Sequence, residues 1–290
     1  MLHDEWAGQL RTLLTQEIGV EEVKPRGLMT HEMLDWSLYL GDILDGNLLD
    51  LPARKLNYKF AVAEWLWIMF GHSDVATINQ YNPQMKRFSD DGIFLTGAYG
   101  PHVAGGIRRV LRKLKADPVS RQAIIEIPRV TVETKDDPCT LSIQFLLRDD
   151  GLHCVVTMRS SDIWLGVPYD VFTFSMIQNC LAGELGVARG FFSLRAGSSH
   201  LYESDFTAAS NLLQVGTEPG CCYTLKSPDL PGLPPAWLNE VLTKRSTDQM
   251  PTTGDDIWMP YARALCASSQ AVARESLVDA HNIATASSNT

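Results

Sequence analysis

Residues 140–158 read TLSIQFLLRDDGLHCVVTM. Two runs of Ile, Leu, Val and Phe flank Asp149-Asp150-Gly151, a pattern that predicts a β-hairpin with a tight glycine turn. The next twelve residues, RSSDIWLGVPYD at 159–170, lose that period. From Tyr169 to Gly186 the stripe Phe172, Met176, Cys180 and Leu181 restores it at helical spacing. A hairpin, a polar loop and a long apolar helix point to an α+β domain with a mixed or antiparallel sheet flanked by helices, not to a βαβ array.

Upstream, Trp6, Leu10, Leu13, Leu14 and Ile18 mark an amphipathic helix, and residues 57–70 a more apolar one that ends at Gly71, with Ser73 available to cap the next. A third helix is expected over 106–115, stopped by Asp117-Pro118, and a strand over 122–128. Downstream, a strand over Gly190–Leu194 leads into a Gly-Ser turn, Ser227–Pro235 reads as a Pro-rich linker, and a capping helix is expected near 254–268. The small polar tail 282–290 is expected to fray. The 290 residues are read as one domain over 1–290, with a core at about 20–215 and an extension at about 225–290.

Composition limits the partners. With 25 Lys and Arg against 34 Asp and Glu, the chain carries a net charge of −9. Gripping a nucleic-acid polymer takes a basic surface, whereas a small anion needs only a few arginines. The six cysteines (Cys139, Cys154, Cys180, Cys221, Cys222 and Cys266) include no CxxC pair and suit neither a disulfide framework nor a zinc site. No apolar run reaches about 18 residues and the N-terminus is acidic, so a cytoplasmic protein with no metal and no membrane contact is expected.

Chemistry concentrates in the loop 159–170, where Arg, Ser, two Asp, Gly and Pro fall between a strand and a helix. Ser198–Asp205 is a second polar cluster, in which His200 and Tyr202 alternate as on a strand. Cys139 follows Asp137-Pro138 at the mouth of the hairpin, and Glu64 stands alone among Ala63, Trp65, Leu66 and Trp67. A carboxylate there is costly without a partner or a use.

At these residues the sequence resembles the folate-dependent thymidylate synthase superfamily, in order, over about residues 20–215. Pro138-Cys139 with Gln144-Phe145 matches the family's nucleophile motif, Arg159 to Asp170 its Arg-Ser-x-Asp-x-x-Leu-Gly-x-Pro-Phe-Asn signature, and His200-Leu201-Tyr202 its ribose motif. Arg26-Gly27, Glu64 with Trp67, Tyr99-Gly100 and Ser120-Arg121 match further positions. The resemblance implies a homodimer through the sheet. It implies phosphate contacts from Arg26, Arg159, Ser160 and Arg121 of a second subunit, sugar contacts from His200 and Tyr202, and a folate cleft of Asp162, Leu165, Gly166 and Tyr169.

The departures direct the substrate reading. Where thymidylate synthases place the Asn that pairs with uracil, this chain has Asp170; a protonated carboxyl that donates to N3 and accepts from the N4 amino group suits cytosine. Thr140 and Met158 replace the family's His and Gln, as in phage deoxycytidylate hydroxymethylases. Gln122 replaces a second arginine after Ser120, and the apolar closing tail is missing. The implied reaction converts CMP or dCMP to its 5-hydroxymethyl derivative with 5,10-methylenetetrahydrofolate and water. Cys139 adds to C6 as a thiolate, favoured by Arg159 and Arg26, and Glu64 handles protons. A C5-methyltransferase of dCMP or dUMP and a non-catalytic nucleotide-binding homologue stay open.

Overall fold

The computed structural model describes residues 2–41, 46–129, 132–215, 224–225, 229–246 and 256–287. Cys221 and Cys222 lie outside them. The strands are β1 (Val20–Val23), β2 (Thr30–Leu40), β3 (Leu48–Leu49), β4 (Ile124–Glu126), β5 (Thr140–Arg148), β6 (Gly151–Met158), β7 (Ser161–Asp162), β8 (Arg189–Tyr202) and β9 (Thr224–Leu225). The main sheet runs β1-β2-β8-β6-β5-β4, with β7 also pairing β8. Its pairs are antiparallel except β6 and β7 against β8. The sheet is therefore mixed and the architecture α+β, as expected.

The helices are α1 (Leu2–Thr15), α2 (Tyr58–Met69), α3 (Val75–Ile78), α4 (Gly100–Ala116), α5 (Val167–Leu185), α6 (Glu203–Val215), α7 (Ala236–Lys244), α8 (Met259–Cys266) and α9 (Gln270–Ser287). At the centre lies α5, buried on all sides; Gln178 on it donates to the carbonyls of Leu152, Gly190 and Phe191 at 2.7–3.1 Å. Against it packs α2, capped by the Asn57 side chain, which accepts from the Phe60 N–H at 3.0 Å, and ended near Gly71 at φ +81.

The hairpin turn sits at Asp149-Asp150, with Arg148 opposite Gly151. One face of the sheet, including Ile143, Phe145, Cys154, Val156, Phe192 and Leu194, is fully buried. On the other face Tyr39, which meets Phe191 at 5.2 Å, and Arg195 are exposed, and Phe191 is half-buried.

Several expectations are corrected. The Gly-Ser stretch after Leu194 is no turn: β8 continues to Tyr202, held by ladder bonds to β2, a strand whose weak alternation hides it in the sequence. The first helix stops at Thr15 and leaves Ile18 fully exposed. α4 starts at Gly100, six residues before its expected start. Asp74, not Ser73, caps α3, accepting from the Thr77 N–H at 2.7 Å.

Of the expected linker, the described part packs on the core. The Leu230 N–H donates to the Asn179 side chain at 2.9 Å, and a Cβ at Gly183 would meet the Leu230 carbonyl at 1.9 Å. α9 runs to Ser287, through most of the stretch expected to fray. It is tied to the start of α2: Arg274 forks onto buried Asp50 (2.7 and 2.5 Å), which also accepts from Tyr58 OH at 2.7 Å.

Candidate active site

A line of backbone irregularities crosses the sheet and turns side chains toward one end. In β2 the alternation breaks at Asp35 (φ 53): Trp36 and Leu38 are core, yet so is His31, whose Nδ1 lies 2.7 Å from the Leu13 carbonyl. Gly197 stands opposite on β8, where a Cβ would lie 3.0 Å from the Arg159 carbonyl. Beside them the β5–β6 register slips between Thr140 and Ser142. The change of phase leaves His200 and Tyr202 on the side of Arg26 and Ser160, where strict period-2 alternation would turn them to the face of Ala196.

Cys139 and Arg159 are joined by the strand ladder, the Arg159 N–H donating to the Cys139 carbonyl at 2.8 Å. The Arg159 guanidinium donates to the carbonyls of Asp137 (2.7 Å) and Pro138 (3.1 Å). Ser160 Oγ lies 3.3 Å from His200 Nδ1, the His200 ring meets Tyr202 edge to face at 5.1 Å, and Arg26 Nη2 donates to Tyr202 OH at 3.4 Å. Burial keeps His200 neutral, with its pKa pushed down to about 4. The structure thus brings Arg26, Cys139, Arg159, Ser160, His200 and Tyr202 together. Thr140 and Met158 prove to be cross-strand partners.

The opposite wall is acidic. Asp170 lies on the first turn of α5, whose N-cap is Gly166. Burial and the Asp162 charge push its carboxyl up to about 7. Glu64, reaching in from α2, is pushed up to about 8 by burial and then by Asp170, with the Thr173 hydroxyl opposing. Two carboxyls of one pocket are thus both held near neutrality, where proton transfer at neutral pH is easiest. Tyr99 completes the wall: its OH accepts from the Thr140 N–H at 3.3 Å.

One electrostatic expectation fails. The Cys139 thiol is raised, because burial outweighs Arg159; Arg129 also opposes the rise. Arg129 went unnoticed in the sequence because it belongs to no motif. It reaches the turn through tertiary structure, donating to the Pro138 carbonyl and, at 2.9 Å, to that of Thr140.

Beyond Asp170 lie the residues that the resemblance assigns to a folate. Asp162 accepts from the N–H groups of Trp164 and Leu165, both at 2.8 Å, and its pKa is pushed up to about 6, chiefly by burial. Leu165 is 46% exposed. A Cβ on Gly166 would come within 3.1 Å of the Asp162 carbonyl and 3.3 Å of Asp170 Oδ2. Tyr169 accepts the Asn57 N–H at 3.0 Å, and Asn57 also accepts from Gln270 of α9 at 2.8 Å. Arg54, missed in the sequence, lies 4.4 Å over the Trp164 ring, its Nε buried without a partner. Arg121 stands on the turn after α4, its carbonyl held by Gln144 at 3.0 Å. Its side chain is exposed.

The thymidylate synthase family profile matches residues 37–230. The chain belongs to the thymidylate synthase family. It is also 36% identical over 179 residues to the deoxyuridylate hydroxymethyltransferase of Bacillus phage SP01, covering 54% of this chain and 47% of the relative. The chain thus matches about half the length of that relative. Among the described residues no group of three or more His, Cys, Asp or Glu is arranged to hold a metal ion, and no helix is long and apolar enough to cross a membrane.

Proposed function

We propose that the protein is a C5-hydroxymethyltransferase of a cytidine monophosphate, CMP or dCMP. The observation that carries this reading is Asp170, a buried carboxyl held at about 7 on the wall facing Cys139. In its protonated form it donates to cytosine N3 and accepts from the N4 amino group. The phage relative acts, by its name, on deoxyuridylate, and uridylate is therefore the second reading.

Arg26 and Arg159, with the Ser160 hydroxyl, bind the phosphate through charge-assisted hydrogen bonds. Neutral His200 and Tyr202 hold the sugar hydroxyl. Cys139 adds to C6 as a thiolate and makes C5 nucleophilic. Glu64, protonated at neutral pH, delivers and removes protons through water and directs the water that becomes the product hydroxyl.

These residues fit a folate: Asp162 suits the polar edge of a pterin, and Leu165 and Tyr169 its faces. 5,10-Methylenetetrahydrofolate bound there supplies the one-carbon unit. Arg121 of a second subunit completes the phosphate site in a homodimer formed through the sheet face of Tyr39, Phe191 and Arg195. The exposed side chain of Arg121 supports this assembly.

The test is turnover of CMP, dCMP and dUMP with product identified by mass. Cytidylate should gain a hydroxymethyl group with no rise in dihydrofolate absorbance, since only hydride transfer oxidises the folate. Such a rise would replace hydroxymethylation by methylation. Tritium release from cytidylate labelled at C5 should vanish in Cys139→Ser, and its absence in the parent protein would make the chain a non-catalytic nucleotide binder.

A further inference from the structure

Two guanidinium groups bracket the turn that carries Cys139. Arg159 enters from the end of β6, binding the Asp137 and Pro138 carbonyls. Arg129, from the segment after β4, sends Nη1 to the Pro138 carbonyl and Nη2 to the Thr140 carbonyl at 2.9 Å. The main chain on both sides of Cys139 is therefore held by one planar fork. Asp137 ties the two cations together, its Oδ2 lying 3.4 Å from Arg129 Nη1 and 3.5 Å from Arg159 Nε.

Resting on the reading of Cys139 as the nucleophile, we propose that Arg129 is a positioning residue for this thiol: its fork fixes the Cys139 turn, and its charge adds to that of Arg159 in favouring the thiolate. The need for a second cation follows from the surroundings. Burial disfavours the thiolate, and Asp136 on the same loop and Asp170 on α5 add negative charge; Arg159 and Arg129 are the groups that oppose them. Tyr99, on the turn into α4, is raised far enough by burial to stay neutral. Asp137 is already shared between the two arginines. Geometry adds a second requirement, because attack on C6 fails if the Pro138-Cys139-Thr140 backbone rotates, and a guanidinium fork restrains two carbonyls at once where an ammonium offers a compact point charge.

The test reads the thiol without substrate. Iodoacetamide alkylation of Cys139 is followed against pH, resolved from the other cysteines by peptide mass, in the parent, Arg129→Gln and Arg129→Lys proteins, with urea unfolding recorded alongside. Arg129→Gln should raise the alkylation midpoint by about one pH unit, an approximately tenfold slower reaction below it. Arg129→Lys, which keeps the charge, should restore most of that shift while leaving kcat at least about fivefold below the parent. If Arg129→Gln does not fold, the lysine variant decides through the same pair of readouts. A midpoint unchanged in Arg129→Gln, whatever its stability, or a full kcat in Arg129→Lys, overturns the proposal. Tritium release that survives Cys139→Ser would instead sink the catalytic reading, and leave the alkylation profile as the measure of what Arg129 does to the thiol.

Discussion

Replacing Asp170 by Asn should invert the choice of base. A carboxyl with a pKa of about 7 is roughly half protonated at neutral pH, and the protonated form presents the donor that cytosine N3 needs. The amide introduced by Asp170→Asn cannot ionise, and in the resembling thymidylate synthases an Asn at this place pairs with uracil. The site is buried, so a donor or acceptor left facing the wrong partner costs about 1–3 kcal/mol. Reversing two contacts is worth about 2 kcal/mol at the low end, or roughly thirtyfold in relative kcat/KM. The assay is the ratio of kcat/KM for dCMP over dUMP, and for CMP over UMP, in parent and variant. The pH dependence supplies an independent check. Cytidylate turnover should fall as pH rises through about 7, because the required proton leaves Asp170, and that limb should vanish in Asp170→Asn while those of Glu64 and Cys139 stay. A ratio that moves by less than about threefold would refute the pairing, however far both rates fall together.

Three further outcomes are expected. Glu64 has its pKa raised to about 8 in the folded protein, so its contribution is fully present below the unfolded value near 4.5 and is lost as pH rises through about 8. Glu64→Gln should therefore lose activity yet gain stability over the parent, by an amount growing from pH 5 to pH 9 to the order of a few kcal/mol; a pH-independent difference in urea midpoints would count against it. Arg274→Ala strands the buried Asp50 carboxylate and should cost about 3 kcal/mol in urea unfolding, most of it recovered by adding Asp50→Asn; equal loss in single and double variants would rule out the ion pair as the cause. Mixing Cys139→Ser with Arg121→Ala subunits after unfolding and refolding should restore about a quarter of parent activity, since half the dimers are mixed and each holds one complete site; no recovery would rule out the exchange of Arg121.

The sequence makes the strongly patterned elements legible. The hairpin 140–158 and α5 obey local rules, a β run with an acidic-Gly turn and an apolar stripe. β2 and the second half of β8 do not: their alternation changes phase at Asp35 and Gly197, so a period-2 reading breaks where the strands bend. That break turns His200 and Tyr202 toward Arg26 and Ser160, and loss of local consistency is expected where a backbone is arranged for a site.

Much of the site could be named because motif order encodes position, but its electrostatics could not. Glu64 shows as a lone carboxylate in an apolar helix. That it shares a pocket with Asp170, with both pKa values raised, needs the packing of α2 on α5. Cys139 is the sharpest case. The motif matches suggest a thiol lowered by Arg159 and Arg26, whereas in the fold burial wins, and a further arginine that opposes it comes from ten residues upstream. A charge ten residues away along the chain has no predictable distance until the turn between is folded, so the direction of the Cys139 shift is a property of the tertiary structure.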